Sequence, residues 1–188
     1  MNVAILVAVL TGSVTIVGWF ASYLLGSRAD RRRARLTAQI AHIEKQLAEL
    51  YGPLAFLVYE GRATFKDLLQ TLGRRYVFYA DRPLPEDELK IWLFWVDNDL
   101  MPRNMAIQNL LSTKTHLIQD GDLPASYIAF LDHHNSWRVT HERWRQEKVP
   151  YSWHSKVNWP AKFDEEVLGA FRQLKKLHSE LVGAVEQS

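Results

Sequence analysis

The chain has 188 residues, 47% of them apolar, which is enough to bury the core of one domain. It contains no cysteine, which excludes disulfides, thiolate metal sites and a cysteine nucleophile. The formal net charge of +2 does not by itself indicate nucleic-acid binding.

The first segment predicts a membrane anchor. Residues 3–25 form a run of 23 positions without a charge. As an α-helix they would span roughly 34 Å, enough to cross a hydrocarbon core about 30 Å thick. A signal peptide is disfavoured because no basic residue precedes the run and no small-residue cleavage site follows it. A helix buried in a soluble protein would need a larger protein to cover it. We therefore predict a transmembrane anchor at residues 1–27.

The charges after this segment predict its orientation. Five arginines follow it, at Arg28, Arg31, Arg32, Arg33 and Arg35. Because basic flanks stay in the cytoplasm, we expect the N-terminus outside and the C-terminal domain in the cytoplasm, at a bacterial inner membrane. The arginines would also attract anionic lipids of the bilayer. Residues 36–188 contain 18 basic and 20 acidic residues, so nucleic acid is not an indicated partner.

Small residues recur along the predicted span with spacings of 4, 3, 4, 3 and 4. They are Ala4, Ala8, Thr11, Thr15, Gly18 and Ser22. Such a stripe lies on one helix face, where membrane helices approach closely and hydroxyl groups hydrogen-bond across the contact. This oligomerisation seam predicts a homo-oligomer, and in a ring of subunits it could line a narrow polar path. The alternative is chance, since small residues are common in such helices.

The remaining chain predicts an all-α fold, in which one N-terminal transmembrane helix continues into a cytoplasmic bundle of about five helices. Residues 28–50 are a basic stalk and amphipathic helix, and residues 51–188 are the bundle. We expect Gly52-Pro53 to end the stalk helix and Pro102 to begin or kink another. Further helices are predicted near 53–72, 86–96, 102–118, 124–147 and 163–185.

The helix at 124–147 carries an unusual aromatic stripe that includes two histidines. Its members are Tyr127, Phe130, His134, Trp137, His141 and Trp144. His134 and His141 are seven residues apart, too far to share a metal ion, so no metal or cofactor is predicted. Hydrogen-bonded core histidines are one interpretation, and a cleft formed by His134, Arg138 and His141 is the other.

Two further polar features lie near apolar helix faces. Lys114 shares its face with leucines, so it either extends its ammonium group to solvent or pairs with Asp132 or Asp99. In the second case Lys114 could join the histidine cleft. We expect the Asp97–Asp99 segment to cap a helix end.

Several short stretches resemble a group of uncharacterised bacterial single-pass membrane proteins with a helical cytoplasmic domain. They are Glu49-Leu50-Tyr51-Gly52-Pro53-Leu54, Lys114-Thr115-His116-Leu117-Ile118, Leu123-Pro124 with Phe130-Leu131 and His134, and Trp159-Pro160 with Phe163. The resemblance implies the architecture and no particular activity. The architecture also resembles HEPN-type membrane accessory proteins of RNA-targeting CRISPR systems, which form membrane pores. Arg35/His42 and Arg172/His178 fit the HEPN spacing, but about two such pairs are expected by chance.

These observations favour a non-enzymatic inner-membrane protein that self-associates and presents a helical sensor or interaction domain. A cytoplasmic protein partner and pore formation in an antiviral defence response are extensions of this hypothesis. The alternative is a membrane-tethered HEPN-like ribonuclease or a nucleotide-binding protein.

Overall fold

The structure is a computed structural model that describes residues 3–78, 84–119, 121–147 and 158–186. Within the first 25 residues, only the side chains of Trp19, Ser22 and Tyr23 are described. The described residues are helical or lie in short connections, and they contain no strand. The all-α prediction is therefore confirmed.

The described residues form four continuous helical segments and one 3₁₀ turn. The first segment joins α1 (Val3–Gln46) to α2 (Gly52–Thr71) through a π turn, Leu47–Tyr51. The second joins α3 (Glu86–Trp95) to α4 (Met101–Thr113) through another π turn, Val96–Leu100. A 3₁₀ turn (Thr115–Leu117), α5 (Ala125–Glu147) and α6 (Ala161–Glu186) follow.

The chain divides into two compact units. One comprises residues 1–44 and 176–188, and the other comprises residues 45–175. The candidate polar side chains of α4 and α5 lie within the second unit.

No helix within the described part of the chain is both long and apolar enough to cross a membrane. The side chains of residues 3–18 lie outside that part, although the backbone there belongs to α1. Five seam residues belong to this range, namely Ala4, Ala8, Thr11, Thr15 and Gly18. The sixth, Ser22, is described and is exposed. The transmembrane anchor and the seam therefore stay predictions from the sequence. The five flanking arginines are all exposed on α1.

The two π turns correct the expected helix breaks. Proline has no N–H, and in an α-helix its ring collides with the carbonyl four residues earlier. Here the turn before each proline is widened, so Gly52 N–H bonds to Leu47 O and Met101 N–H bonds to Val96 O. The chain therefore stays helical through both prolines. The starts of α2 at Gly52 and of α4 at Met101 agree with the predicted ones, whereas the break expected at Gly52-Pro53 was wrong.

The first π turn also explains a glycine. A Cβ atom on Gly52 would lie 2.5 Å from the backbone oxygen of Leu47, closer than real Cβ atoms approach. The corresponding position of the second π turn is Met101, which carries a Cβ atom. The close approach to the backbone oxygen is therefore particular to the first π turn. We infer that Gly52 is required by local geometry.

Aromatic side chains of α5 form much of the core, as their spacing predicts. Phe130 stacks on Phe163 of α6 with ring centroids 4.7 Å apart. Trp137 stacks on Trp92 of α3 at 5.9 Å, inside a cluster that also contains Leu68 and other apolar side chains. The aromatic stripe thus fixes α5 against α3 and α6.

Candidate functional site

The candidate site is a set of polar side chains buried around α5 and the two π turns. Its buried polar members are Gln46, Arg103, Asn104, Ser126, His133, His134, His141 and Asp164. Because burying a polar group is costly without a hydrogen-bond partner, each contact helps to define the arrangement.

His134 is completely buried on the core face of α5. Its ring stacks on Phe130, with the two planes 6° apart, and its Nε2 atom lies 3.2 Å from Oε1 of Gln108 on α4. Its Nδ1 atom is buried and has no hydrogen-bond partner within the described part of the chain. Burial lowers the pKa of His134, and the positive charge of Arg138 and the neighbouring His133 lower it further. His134 is therefore a neutral core histidine at pH 7.

His141 lies two turns further along the same face and is also buried. Its Nε2 atom is 2.9 Å from Oδ1 of Asp97, whose side chain is 42% exposed. The indole ring of Trp144 packs beside the imidazole, with centroids 5.4 Å apart. A carboxylate in the second π turn thus holds the His141 ring.

Lys114 pairs with Glu49 rather than with either carboxylate expected from the sequence. Its Nζ atom lies 2.6 Å from Oε2 of Glu49, and about a third of each side chain is exposed. This hydrogen bond lowers the pKa of Glu49. Asp99 instead binds Arg103, and Asp132 is exposed, so the two proposed partners were wrong.

Further contacts connect the first π turn with the 3₁₀ turn after α4. Gln46 Nε2 donates to Leu117 O at 2.9 Å, and the backbone N–H of Gln119 donates to the Tyr51 hydroxyl at 3.1 Å. Tyr51 also forms a hydrogen bond with Tyr127. Burial raises the pKa of the Tyr127 hydroxyl, and the neighbouring Tyr51 raises it further. The Lys114–Glu49 pair therefore belongs to a larger polar contact between these turns.

Arg103 is a buried cation that the sequence reasoning missed. Its guanidinium binds Asp99, and its Nε atom lies 3.6 Å from Oε2 of Glu60 on α2. The side chain passes Gly61, where a Cβ atom would lie 3.3 Å from Arg103 Cδ. Two features of the sequence could have indicated this cation: the spacing of four residues between Asp99 and Arg103, and the glycine inside α2 that leaves room for the arginine side chain.

The Asp97–Asp99 segment does not cap a helix end, so that prediction was wrong. The segment lies inside the second π turn, where the helix continues. Asp97 and Asp99 point to different partners, His141 and Arg103, and Asn98 Nδ2 donates to Phe94 O at 2.8 Å. These side chains thus serve tertiary and local contacts.

A second polar group connects α2, α5 and α6. Asp164 is buried and accepts hydrogen bonds from Arg62 Nε at 2.7 Å and from Trp159 Nε1 at 3.0 Å. Ser126 on α5 donates to Glu166 on α6. The Arg62–Asp164 and Ser126–Glu166 contacts join elements that are distant in sequence, so they stabilise the packing of this unit.

The four candidate site residues have different surroundings. His134 contacts Gln108, His141 contacts Asp97, Lys114 contacts Glu49, and the Arg138 side chain is exposed. Within the described ranges, no three His, Asp or Glu side chains are grouped closely enough to hold a metal ion. His134, His141 and Lys114 each contact a side chain on another element.

The Arg–His pairs that fit the HEPN spacing have ordinary surroundings. Arg35, His42 and Arg172 are exposed, and His178 Nε2 lies 3.1 Å from Oε1 of Glu44. Neither a protein-family model, nor a curated protein, nor a solved structure matches this chain.

Proposed function

We propose that this chain is a non-enzymatic membrane protein. In this proposal, residues 3–25 anchor it in a bacterial inner membrane, and residues 45–175 form a cytoplasmic sensor or interaction domain. The observation that carries the proposal is the uncharged run of 23 residues, followed at once by exposed arginines on the same helix. Nonpolar length and a basic flank are the two features that place and orient a single span.

Two exposed aromatic side chains near the end of this run support the anchor. Trp19 is 80% exposed and Tyr23 is 68% exposed on α1, shortly before Arg28. Exposing rings of this size to water is unfavourable, whereas Trp and Tyr are favoured at the level of lipid headgroups. A bilayer would cover both rings.

The contacts of the candidate residues support a role other than catalysis. His134 is completely buried, so a dissolved substrate cannot reach its ring. His141 and Lys114 are held by carboxylates on other elements, in contacts that join parts of the fold. The domain would then act through its surface and its conformation, with a cytoplasmic protein as one class of partner.

Self-association is the second part of the proposal. The small residues of the seam would let copies of α1 approach within the bilayer, where apolar side chains gain little from contacting each other. A ring of such helices would be the basis for pore formation in a defence response.

Membrane extraction tests the anchor. The full chain is expressed in bacteria, and membranes are washed at high pH to remove proteins that are bound only to the surface. We expect the wild type to stay in the pellet. Val14→Lys should shift it toward the soluble fraction, because a lysine at the centre of a span opposes insertion by about 3 kcal/mol. Thr37→Lys, at an exposed position of α1, is the matched control and should stay in the pellet. A wild-type chain in the soluble fraction would refute the anchor.

A further inference from the structure

His134 differs from His141 in the partner that its ring contacts. His141 faces the carboxylate of Asp97, whereas His134 faces the uncharged side-chain amide of Gln108. The His134 ring is completely buried against Phe130, which itself stacks on Phe163. A proton added to His134 therefore enters an aromatic environment without a carboxylate in hydrogen-bond contact.

The hydrogen bond to Gln108 identifies the atom that would take up the proton. With the Gln108 oxygen as acceptor, Nε2 of His134 carries the hydrogen and Nδ1 holds the free lone pair. Nδ1 is buried and has no hydrogen-bond partner among the described residues, so a new N–H there would find no acceptor among them. A buried donor without an acceptor, together with a new positive charge, disfavours the packed state.

Neighbouring groups on the same helix increase this effect. Arg138 and His133 both lower the pKa of His134. The carboxylates on neighbouring elements already have cationic, N–H or O–H partners: Asp99 and Glu60 with Arg103, Asp97 with His141, Asp164 with Arg62 and Trp159, and Glu166 with the Ser126 hydroxyl.

We propose that His134 makes the contact between α5 and α4 sensitive to protons. One proton taken up at Nδ1 places a charge and an unpaired N–H in this packed interior, which loosens the packing of the His134 ring and opens this part of the domain in mild acid. This inference rests on the buried site and not on the membrane anchor.

The direction of the pH effect follows from thermodynamic linkage. Burial lowers the pKa of His134 in the folded chain, so the unfolded chain binds the proton more tightly. Stability is therefore complete above the unfolded pKa of about 6.5 and falls as the pH drops below it. The loss continues until the pH reaches the lower pKa of the folded state.

Hydrogen exchange of the purified full chain at pH 7.5 and pH 5.5 tests the proposal, after correction for the intrinsic exchange rates. We expect protection of the α5 amides to fall by about tenfold in acid, since one bound proton changes the opening equilibrium tenfold per pH unit. His134→Gln retains an amide that can bond to Gln108 and cannot titrate, so it should abolish this fall. His116→Gln, which removes an exposed histidine, should respond like the wild type. An unchanged acid response in His134→Gln would overturn the proposal.

A second measurement on the wild type keeps the test decisive if His134→Gln does not fold. The seven histidine rings can be followed by NMR with ring-labelled histidine as the pH is lowered. We expect one ring to stay neutral at a pH where an exposed imidazole is already charged, and to become charged only as protection of α5 is lost. If all rings titrate near pH 6.5 while α5 stays protected, the proposal is wrong.

Discussion

The Nε2 atom of His141 lies 2.9 Å from Oδ1 of Asp97, a residue 44 positions earlier in the chain. Asp97 belongs to the π turn that precedes Pro102, so a local adjustment to a proline also supplies a tertiary contact to α5. The first π turn repeats this combination, because its Glu49 contacts Lys114. Two widened turns therefore join helices and hold polar contacts between distant elements.

The His141–Asp97 contact predicts a loss of stability when the histidine is removed. His141→Ala leaves a void in the core and removes the partner of the carboxylate, which should lower the free energy of unfolding by about 1–3 kcal/mol. Denaturant unfolding of the purified chain measures this change. His116→Ala, at an exposed position, should change stability by less than about 0.5 kcal/mol. Equal stability of the two variants would contradict a structural role for His141.

The close approach of Gly52 to Leu47 predicts strong sensitivity to an added methyl group. Gly52→Ala places a Cβ atom against a backbone oxygen, so it should destabilise the chain by about 1–3 kcal/mol. Gly169→Ala is the matched control, because a Cβ there meets no atom within 4 Å. This control should stabilise α6 by up to about 1 kcal/mol, since alanine favours helix more than glycine does. Thermal unfolding of both variants should therefore show shifts of opposite sign, and shifts of the same sign would refute the constraint.

The two cations that contact the π turns should differ in their importance. Arg103 is buried among Asp99 and Glu60, so Arg103→Ala should cost about 2–3 kcal/mol by leaving carboxylates without a buried partner. Lys114→Ala removes a pair that is about one-third exposed, and it should cost about 1 kcal/mol or less. Chemical denaturation of both variants measures the difference. A larger loss for Lys114→Ala would contradict this order.

The seam predicts that assembly depends on Gly18. Gly18→Leu should separate neighbouring α1 helices without reducing hydrophobicity, and so yield a smaller assembly. Val17→Leu changes an adjacent position that faces a different direction on the helix, so it should leave the assembly intact. Native mass measurement of both variants and the wild type in one mild detergent gives the comparison. If the two variants behave alike, the stripe of small residues does not drive assembly.

Helix positions were predictable because apolar spacing and turn residues act locally. The predicted helix at 124–147 is α5 with almost the same bounds, and every member of its aromatic stripe except the half-buried Trp144 lies in the core. The break expected at Gly52-Pro53 was wrong because the expected clash assumes α-helical hydrogen bonds four residues apart. A π turn moves the acceptor to the fifth residue, and single-residue propensities do not predict that change.

The polar partners were harder to predict because they depend on how the helices pack. Glu49 and Lys114 are 65 residues apart, and nothing in either local sequence indicates the other. Arg103 was missed because arginines are seldom buried, and only the packing of α2 against α4 encloses this one. The burial of His134 was one of the two interpretations of the stripe, but its contact with Gln108 required the fold.

Labelling of introduced cysteines tests the membrane orientation most directly, since the natural chain contains no cysteine. Asn2→Cys and Ser112→Cys place one thiol before the predicted span and one at an exposed position of α4. A membrane-impermeant maleimide is added to intact cells whose outer membrane has been made permeable. We expect Asn2→Cys to be labelled at once, and Ser112→Cys to be labelled only after the inner membrane is disrupted. Labelling of Ser112→Cys in intact cells would contradict a cytoplasmic domain, and protection of both thiols would contradict a single span.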